Sequence, residues 1–417
     1  MKKTKHIIIV NSFALLLMTF ISCSKKENAI SYVPVKETTD TYDLEGKETM
    51  VTRNIPMQHK TFINTVTNDS VSIIHHLDNT SFHFYNDVAF ANTQKGVIVG
   101  GAGLKIRTTT NGGLHWQENR FSKFANSFHS VSINNQSIFA VGESKYIYKS
   151  TDFGKHWATY NTNFLINKTN DKDGKIQKYT PRFYKIKFYN NTGIVIGDYD
   201  KIRKAKPILL KTIDSGKHWQ ILKSIGLKDT ETGISDLVML SEKNIFIVTF
   251  KGNCYKSTDG GIHWKLIFND EALSLNSIDF INENQGYIGG TASTLFYTKD
   301  GGKTWKKINL FSEKEGVIYH QNFANKAKRV SPNQHAINIT NIKYINNTTA
   351  LITLANSTQE FEKDFLYKIN QDLETVKSVL HKKDTTLLFK GDSYGFFKLK
   401  KSLFLLDKNN LYKLKLN

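Results

Sequence analysis

Four acidic residues fall in predicted loops or at strand ends, where carboxylates could act as a pair on a substrate. They are Glu143, Asp198, Asp200 and Glu283. A glycosidase needs two carboxyl groups beside the scissile bond, one as an acid and one as a base or nucleophile. Asp and Glu are also common in ordinary turns. We therefore predict no catalytic residue, and a glycan-active hydrolase is the alternative.

The histidines and one loop with calcium-like composition do not predict a metal site. His115, His156, His218 and His263 belong to four different repeats and cannot converge on one ion. Segment 170–174 reads Asn-Asp-Lys-Asp-Gly, but no carboxylate follows at the spacing of a calcium loop. The chain also lacks a phosphate loop and a dinucleotide fingerprint. We therefore expect no metal and no cofactor.

Five octapeptides with the pattern Ser/Thr-x-Asp/Asn-x-Gly-x-x-Trp organise the chain, and they contain its only tryptophans, which lie 41, 62, 45 and 41 residues apart. A repeat of this length is typical of a β-propeller blade. Each octapeptide lies between two strand-like runs and predicts a hairpin turn, with an acidic or amide side chain bonding the turn and a glycine at positive φ. The positions predicted to be structural are Asn111, Trp116, Asp152, Trp157, Asp214, Trp219, Asp259, Trp264, Asp300 and Trp305.

These octapeptides resemble Asp boxes, also called BNR repeats, which occur in sialidases, sortilin-type receptors and photosystem II stability/assembly factor-like propellers. The layout of Tyr287–Trp305 is most similar to the last group: an apolar strand ending in Gly, a short strand, then Thr-x-Asp-Gly-Gly-x-Thr-Trp. That resemblance implies a non-catalytic seven-bladed scaffold that binds proteins during assembly. A sialidase would need three clustered arginines, and none of the six arginines lies in a sialidase-like context.

We predict an all-β fold, a seven-bladed β-propeller of four-stranded antiparallel blades. Blades one to five each contain one box, and the residues after Trp305 supply a sixth blade and three strands of a seventh. The run Val71–His76 is predicted to complete blade seven, so that an N-terminal strand closes the ring. Six or eight blades are the alternatives, because the last third of the chain lacks the motif.

The N-terminal segment predicts export with a lipid anchor. Three lysines within the first five residues precede an apolar run at 7–21. This is the pattern of a signal peptide, and the run is too short for a transmembrane helix. The Ser-Cys pair that ends at Cys23 resembles a bacterial lipobox, which implies a lipid on Cys23, although Phe20 stands where Leu is usual. A plain secreted protein is the alternative. The predicted domains are a signal peptide at 1–22, a tether at 23–60 and the propeller at 61–417.

Only Cys254 remains besides Cys23. A disulfide framework and a cysteine metal site are therefore excluded, and we expect Cys254 to be a buried, small apolar side chain.

The longest predicted insertions lie on the face of the ring opposite the boxes, at Asn161–Arg182, Asp198–Pro207 and Asn309–Asn338. Loops on a rigid scaffold are common binding sites. We call the face with the boxes the box face and the opposite one the loop face. The loop face is hypothesised to present a basic rim to an acidic partner. Its candidate residues are Arg182, Lys201, Arg203, Lys204, Lys206, Lys326, Lys328 and Arg329.

The formal net charge of +20 is compatible with anionic partners. For an exported chain we expect no nucleic acid, and we expect an envelope protein or an anionic glycan as the partner of a monomer. The membrane contact would be the lipid on Cys23, at the outer membrane, with the periplasmic or surface side left open. The predicted function is a non-catalytic envelope lipoprotein that presents a propeller as a binding or assembly scaffold.

Overall fold

The computed structural model is a seven-bladed β-propeller built from antiparallel sheets, as the box repeat predicts. The structure describes residues 51–55, 60–63, 70–76, 85–101, 104–121, 126–165, 167–170, 176–199, 207–227, 233–308, 310, 337–356, 366–370, 375–378, 393–399, 402–407 and 410–415.

Three strands precede the first blade and belong to sheets at the two ends of the repeat series. They are β1 (Val51–Ile55), β2 (Lys60–Ile63) and β3 (Ser70–His76).

The first three blades each contain four consecutive strands. Blade 1 consists of β4 (Tyr85–Phe90), β5 (Gly96–Gly100), β6 (Lys105–Thr109) and β7 (Trp116–Arg120). Blade 2 consists of β8 (Phe128–Asn134), β9 (Ser137–Gly142), β10 (Tyr146–Ser150) and β11 (Ala158–Asn161). A short 3-10 helix (Asn163–Leu165) and a hairpin of β12 (Asn167–Asn170) and β13 (Ile176–Tyr179) follow. Blade 3 consists of β14 (Pro181–Tyr189), β15 (Thr192–Tyr199), β16 (Ile208–Thr212) and β17 (Gln220–Ile221).

Blades 4 to 6 repeat this arrangement, and blade 7 has three strands of its own. Blade 4 consists of β18 (Ile234–Met239), β19 (Ile245–Thr249), β20 (Asn253–Ser257) and β21 (Lys265–Asn269). Blade 5 consists of β22 (Leu275–Phe280), β23 (Gly286–Gly290), β24 (Leu295–Thr298) and β25 (Lys306–Ile308). Blade 6 consists of β26 (Ile337–Tyr344), β27 (Thr349–Asn356), β28 (Leu366–Asn370) and β29 (Thr375–Ser378). Blade 7 begins with β30 (Ser393–Leu399), β31 (Ser402–Asp407) and β32 (Asn410–Lys415).

The N-terminal strand β3 supplies the fourth strand of blade 7. It pairs antiparallel with β32, from Ser70 opposite Lys415 to His76 opposite Asn410. Blade 7 packs in turn against blade 1, where the rings of Phe90 and Phe404 stack with centroids 3.8 Å apart. The prediction of ring closure by an N-terminal strand is therefore confirmed.

Two further strands lie outside the four-strand pattern. β1 pairs with β7 as a fifth strand of blade 1, and β2 pairs with β3 as a fifth strand of blade 7. Val51–Ile55 lies within the segment 23–60 that we interpreted as a tether. The outer edge of a blade carries unpaired N–H and C=O groups, and an added strand satisfies them.

Each innermost strand contains one extra residue at the same place, where its register with the second strand shifts. The register shift is present in all seven blades, for example at Asn86, His129 and Ser235. A bulge of this kind bends the strand and redirects its side chains. Four of the extra residues donate to a backbone carbonyl of the next blade. The pairs are Asn86 to Phe128, His129 to Phe183, Ser235 to Leu275 and Asn276 to Ile339.

The core lies between neighbouring blades, and each box tryptophan packs at the junction with the preceding blade. Trp116 packs against blade 7, and Trp157, Trp219, Trp264 and Trp305 pack against blades 1 to 4 in turn. The five indole rings therefore lie in five separate interfaces. Cys254 is fully buried and its thiol is free. Burial raises the pKa of the Cys254 thiol, which keeps it protonated and unreactive.

In the part of the chain that the structure describes, there is no helix with the length and apolar character needed to cross a membrane.

Candidate functional site

The Asp boxes form one hydrogen-bonded turn, repeated five times. In the second box the Ser150 hydroxyl donates to Asp152 Oδ1 at 2.9 Å and accepts from Gly154 N at 2.7 Å. Asp152 Oδ1 also accepts from His156 N at 2.9 Å. In the first box, Asn111 Oδ1 accepts the corresponding bond from His115 N at 2.9 Å. An amide therefore replaces the carboxylate without loss of the turn.

Two consecutive residues of every box have positive φ. The fifth residue is always glycine, for example Gly216 at 72°. The fourth residue is glycine in three boxes, but in the other two it is Phe153 at 59° and Ser215 at 57°. Side chains rarely occupy this region of φ because the Cβ atom approaches the backbone. The invariant glycine of the octapeptide is therefore explained by backbone geometry.

The box carboxylates are held in their charged form by bonds within the turn. Backbone donation from His263 lowers the pKa of Asp259 to about 2, and the Thr304 hydroxyl and amide lower that of Asp300 to about 2. The Nδ1 atoms of His156, His218 and His263 each lie 2.6 Å from a carboxylate oxygen of the same box. Since each histidine bonds its own turn, the three do not form a shared site.

Lysines that immediately precede three boxes connect neighbouring blades. Lys149 Nζ donates to Ser215 O and Lys211 Nζ donates to Gly260 O, both at 2.9 Å, and Lys256 Nζ donates to Glu283 O at 3.5 Å. Each acceptor lies in the next blade. Sequence reasoning missed these contacts, although a Lys before Ser/Thr-x-Asp is a signal that could have indicated them.

The box turn and the first-to-second turn of the same blade lie on one face of the ring. Gly112 N donates to Gln94 O at 2.7 Å, and Gly301 N donates to Asn284 O at 2.8 Å. Glu283 lies in such a turn and accepts from Asn244 at its Oε1 atom. Glu143 follows the end of the second strand β9, and Asp198 is the next-to-last residue of the second strand β15, so both lie on the opposite face. Glu283 therefore cannot form an acid–base pair with either of them.

A polar cluster lies on the loop face at the junction of blades 2 and 3. The Tyr184 hydroxyl donates to Asp198 Oδ1 at 2.8 Å, and Arg182 Nη2 lies 3.7 Å from the same oxygen. The rings of His129 and Tyr184 stack with centroids 5.7 Å apart, and His129 Nε2 lies 3.9 Å from Glu143 Oε1. Burial lowers the pKa of His129. Its Nδ1 donates to the Phe183 carbonyl at 3.0 Å, so the ring is held between the two blades.

Arg182 is the one candidate of the basic rim that the structure describes, and it lies at the mouth of the channel beside Asp198. The other seven rim candidates, together with Asp200 and Cys23, lie outside the described residues. Gly197 lies opposite Phe183 in the same sheet, and a Cβ atom at Gly197 would collide with the carbonyl of Arg182. Gly197, near the end of β15, therefore allows the backbone of Arg182 to approach closely.

Two series of hydrogen bonds lie in the wall of the central channel, and each series connects three consecutive blades through a serine hydroxyl. Ser130 donates from its hydroxyl to Asp87 Oδ2 at 2.7 Å and accepts from Ile186 N at 3.3 Å. Ser277 donates to Asp236 Oδ2 at 3.4 Å and accepts from Ile342 N at 3.0 Å. The first series joins blades 1, 2 and 3, and the second joins blades 4, 5 and 6. Sequence analysis did not identify these residues, because their partners are 41 to 65 positions away.

One open groove lies on the box face between the first two boxes and has a volume of about 540 Å³. Its walls include Asn111, Trp116 and Asp152, whose polar atoms already bond within the turns. Among the described residues, no three His, Cys, Asp or Glu side chains are grouped so that they could hold a metal ion.

Part of the sequence is similar to photosystem II assembly factors. Residues 69–165 match the family model described as photosynthesis system II assembly factor YCF48, and residues 296–307 match the BNR/Asp-box repeat. The chain is 35% identical over 75 residues to the chloroplastic photosystem II stability/assembly factor HCF136 of Guillardia theta. This alignment covers 18% of this chain and 19% of that protein. The chain is 44% identical over 48 residues to the photosystem II assembly lipoprotein Ycf48 of Prochlorococcus marinus (strain MIT 9312), and this alignment covers 11% of this chain and 14% of that protein.

The aligned stretches therefore span less than a fifth of the length of these two curated relatives. The solved structure described as YCF48 bound to D1 peptide covers 87% of this chain and 97% of its own, with a TM-score of 0.55 and 15% identity. At that identity the likeness concerns the fold. The chain is a β-propeller with five Asp-box-like turns, and over part of its sequence it is similar to photosystem II stability/assembly factors.

Proposed function

We propose that this protein is a non-catalytic scaffold of the cell envelope whose propeller binds a protein partner during assembly. The observation that carries the proposal is the match of residues 69–165 to an assembly-factor family model. Those residues span the closing strand β3 and the first two blades, which contain the first two boxes. The similarity therefore lies in the propeller itself.

The partner is proposed to bind the loop face through the basic rim. Arg182 lies beside Asp198 at the mouth of the channel, and the segments 200–206 and 311–336 carry the remaining rim candidates. A cluster of Lys and Arg around a rigid ring favours an acidic protein segment, and an anionic glycan is the other partner with matching charge. The neighbour described as bound to a D1 peptide shows that a protein of this fold binds a peptide.

Charge reversal on the two faces tests this surface. A triple variant with Lys204→Glu, Lys206→Glu and Arg329→Glu should reduce cross-linking in living cells between the protein and its envelope partner. The matched control carries Lys155→Glu, Lys217→Glu and Lys303→Glu, three exposed lysines of the box face.

Mass spectrometry of the cross-linked band identifies the partner, and salt titration measures the electrostatic share. Equal cross-linking by both triple variants would rule out the loop face. A salt-insensitive affinity would rule out recognition by charge.

Two carboxylates that the structure describes on the loop face, Asp198 and Glu143, support the non-catalytic proposal. Asp198 accepts from Tyr184 and lies beside Arg182, and Glu143 Oε2 accepts from Ser127 N at 3.1 Å. Both carboxylates are therefore engaged by the chain itself. Under the alternative, a glycan hydrolase, Asp198→Asn and Glu143→Gln should each abolish release of sugars from envelope polysaccharide. Activity of the native protein that both variants abolish would overturn the scaffold assignment.

The proposed scaffold is exported and anchored through a lipid on Cys23. The positive and apolar N-terminal segment followed by Ser-Cys supports this, as does the similarity over 48 residues to the Prochlorococcus relative, which is described as a lipoprotein. Metabolic labelling with an alkyne fatty acid should mark the native protein and leave Cys23→Ala unmarked. Labelling of Cys23→Ala to the native level would place the lipid elsewhere, and Cys254→Ala is the control for the other thiol.

A further inference from the structure

The open groove between the first two boxes has room for a small ligand. Its wall contains residues of box 1 and box 2, together with Lys95 and Gln136 from the first-to-second turns of blades 1 and 2. We call this space the box groove. Its volume of about 540 Å³ is within the range of about 300–1,000 Å³ that is usual for small-molecule sites.

The junction of blades 1 and 2 lacks a lysine that the next two junctions contain. Lys149, just before box 2, donates from Nζ to the Ser215 carbonyl of blade 3 at 2.9 Å. Lys211, just before box 3, donates to the Gly260 carbonyl of blade 4 at the same distance. Thr108 holds this place before box 1, and its short side chain lines the box groove. The space that a lysine takes at the next two junctions is therefore part of the groove.

The carbonyl of Phe153 is the acceptor that such a lysine would reach. Phe153 is the fourth residue of box 2, as Ser215 and Gly260 are the fourth residues of the two boxes that accept a lysine. Among the residues that the structure describes, no donor bonds the Phe153 carbonyl. The Phe153 ring packs against the core between blades 1 and 2. The groove thus offers a backbone acceptor that the protein itself uses in the next two boxes.

Four uncharged polar side chains of the groove are not used by the fold. Thr110 and Thr151 are the second residues of boxes 1 and 2, Gln117 follows Trp116, and Gln136 lies in a turn. Within the described part of the chain, none of these four side chains has a hydrogen-bond partner. Gln117 points towards blade 2, because side chains alternate along a strand and Trp116 packs against blade 7. The groove therefore presents free hydroxyl and amide groups.

The charged groups of the groove favour an acidic ligand over an amine. Lys95 and Lys155 both line it, and Lys95 Nζ lies 5.5 Å from the centroid of the Phe153 ring. Of the described lining residues, Asp152 alone is acidic, and its oxygens already bond Ser150 and His156. Two ammonium groups without a free carboxylate beside them attract a negative charge.

These groups match a sugar more closely than a peptide. Sugar hydroxyls both donate and accept, as the free amide, hydroxyl and carbonyl groups of the groove require. A peptide is held mainly by an apolar or aromatic anchor in a pocket. The two aromatic residues of the groove do not form such a pocket, because Trp116 is buried and Phe153 is half-buried beside Lys95.

We propose that the box groove binds an acidic saccharide, a sugar ring that carries a carboxylate. Its hydroxyl groups donate to the Phe153 carbonyl and bond the amides of Gln117 and Gln136. Its carboxylate pairs with the ammonium group of Lys95 or Lys155. The site lies on the face opposite the partner surface proposed above, so it is independent of the scaffold function.

A glycan array that carries uronate-terminated, sialate-terminated and neutral oligosaccharides, probed with the whole protein, tests the site. The native protein should bind acidic members and bind their neutral counterparts more weakly. Calorimetric titration with the strongest of these ligands should then give one site per chain.

Two variants locate the binding in the groove. Thr108→Lys installs the lysine that the next two junctions contain, so the new ammonium group should bond the Phe153 carbonyl and fill the groove. We expect it to weaken saccharide binding by more than about tenfold without lowering the melting temperature. Gln117→Ala removes one hydrogen-bonding group and should weaken binding about fivefold. Gln220→Ala is the matched control, because Gln220 is exposed and follows the tryptophan of box 3 as Gln117 follows that of box 1.

The proposal is overturned if the native protein binds no oligosaccharide on the array. It is overturned equally if Thr108→Lys and Gln117→Ala both bind as tightly as the native protein, because binding would then lie outside the groove. Equal affinity for acidic and neutral members would exclude the two lysines and the acidic class. If Thr108→Lys does not fold, the comparison of Gln117→Ala with Gln220→Ala decides the location.

Discussion

Ser130 provides the sharpest test of how the blades are held together. Its side chain is fully buried, donates to Asp87 in blade 1 and accepts from Ile186 N in blade 3. The change Ser130→Ala removes one atom that joins three blades. The methyl group left in its place fits the existing space, so the loss is one of hydrogen bonds and not of packing.

The expected loss of stability follows from the two hydrogen bonds of the Ser130 hydroxyl. A hydrogen bond to a charged group contributes about 1.5–3 kcal/mol, and a buried amide left without its partner costs about 1–3 kcal/mol. Asp87 Oδ2 keeps its bond from Val131 N, which limits the loss at the carboxylate. We therefore expect Ser130→Ala to lower the free energy of unfolding by about 3 kcal/mol. Ser277→Ala should cost about 2 kcal/mol, because the bond from Ser277 to Asp236 is longer, at 3.4 Å.

Urea denaturation followed by tryptophan fluorescence and by circular dichroism gives these differences from the shift in midpoint at constant slope. The five tryptophans lie in five of the seven blade junctions, so fluorescence reports on the ring from blade 7 to blade 5, and circular dichroism reports on all the sheets. Ser132→Ala is the control, since Ser132 is half-buried and lies two positions further along the same strand. The reasoning is refuted if Ser130→Ala and Ser132→Ala differ by less than about 0.5 kcal/mol.

Three further predictions concern the boxes. Gly216→Ala should lower the free energy of unfolding by about 1–3 kcal/mol, because φ is 72° at this position and the new Cβ atom would collide with the Phe139 ring. A thermal unfolding curve that matches that of the native protein would contradict this. The folded pKa of Asp259, about 2, lies below its ordinary value of 3.8, so its stabilising effect is present above about pH 4 and is lost as the pH falls towards 2. Asp259→Asn, which mimics Asn111 of the first box, should therefore lose less melting temperature over that interval, and a parallel decline in both proteins would exclude this group. Trp116→Ala should lower the free energy of unfolding, measured by urea denaturation, by about 3–5 kcal/mol, because the indole is 1% exposed between blades 1 and 7. A loss below about 1 kcal/mol would mean that the two blades move together and fill the cavity.

The repeat made the ring predictable from the sequence, because its turn chemistry is local. The Ser/Thr, Asp and Gly of each box bond within eight residues, so the turn follows from composition alone. The spacing of the tryptophans then gives the length of a blade. Strand β3 was predictable because blade 7 lacked one strand and Val71–His76 was a run not assigned to any other blade.

The features that escaped prediction depend on contacts between blades. The series from Asp87 through Ser130 to Ile186 requires the register of three sheets, which no local pattern encodes. The fifth strands β1 and β2 have no motif, since any extended segment can pair with a free edge.

The pairing of Ser70 with Lys415 joins residues 345 positions apart in the chain, and it has a consequence for biosynthesis. Strand β3 is synthesised before the strands of blade 1, and its partner β32 is synthesised after those of blades 1 to 6. Contacts between distant residues form slowly because a long loop must close first. Blades 1 to 6 can therefore fold before blade 7 does, because blade 7 is complete only when β3 pairs with β32. A chain truncated before residue 410 would lack β32, so β3 would have no partner and the ring would stay open. The free strand edge would promote aggregation or proteolysis.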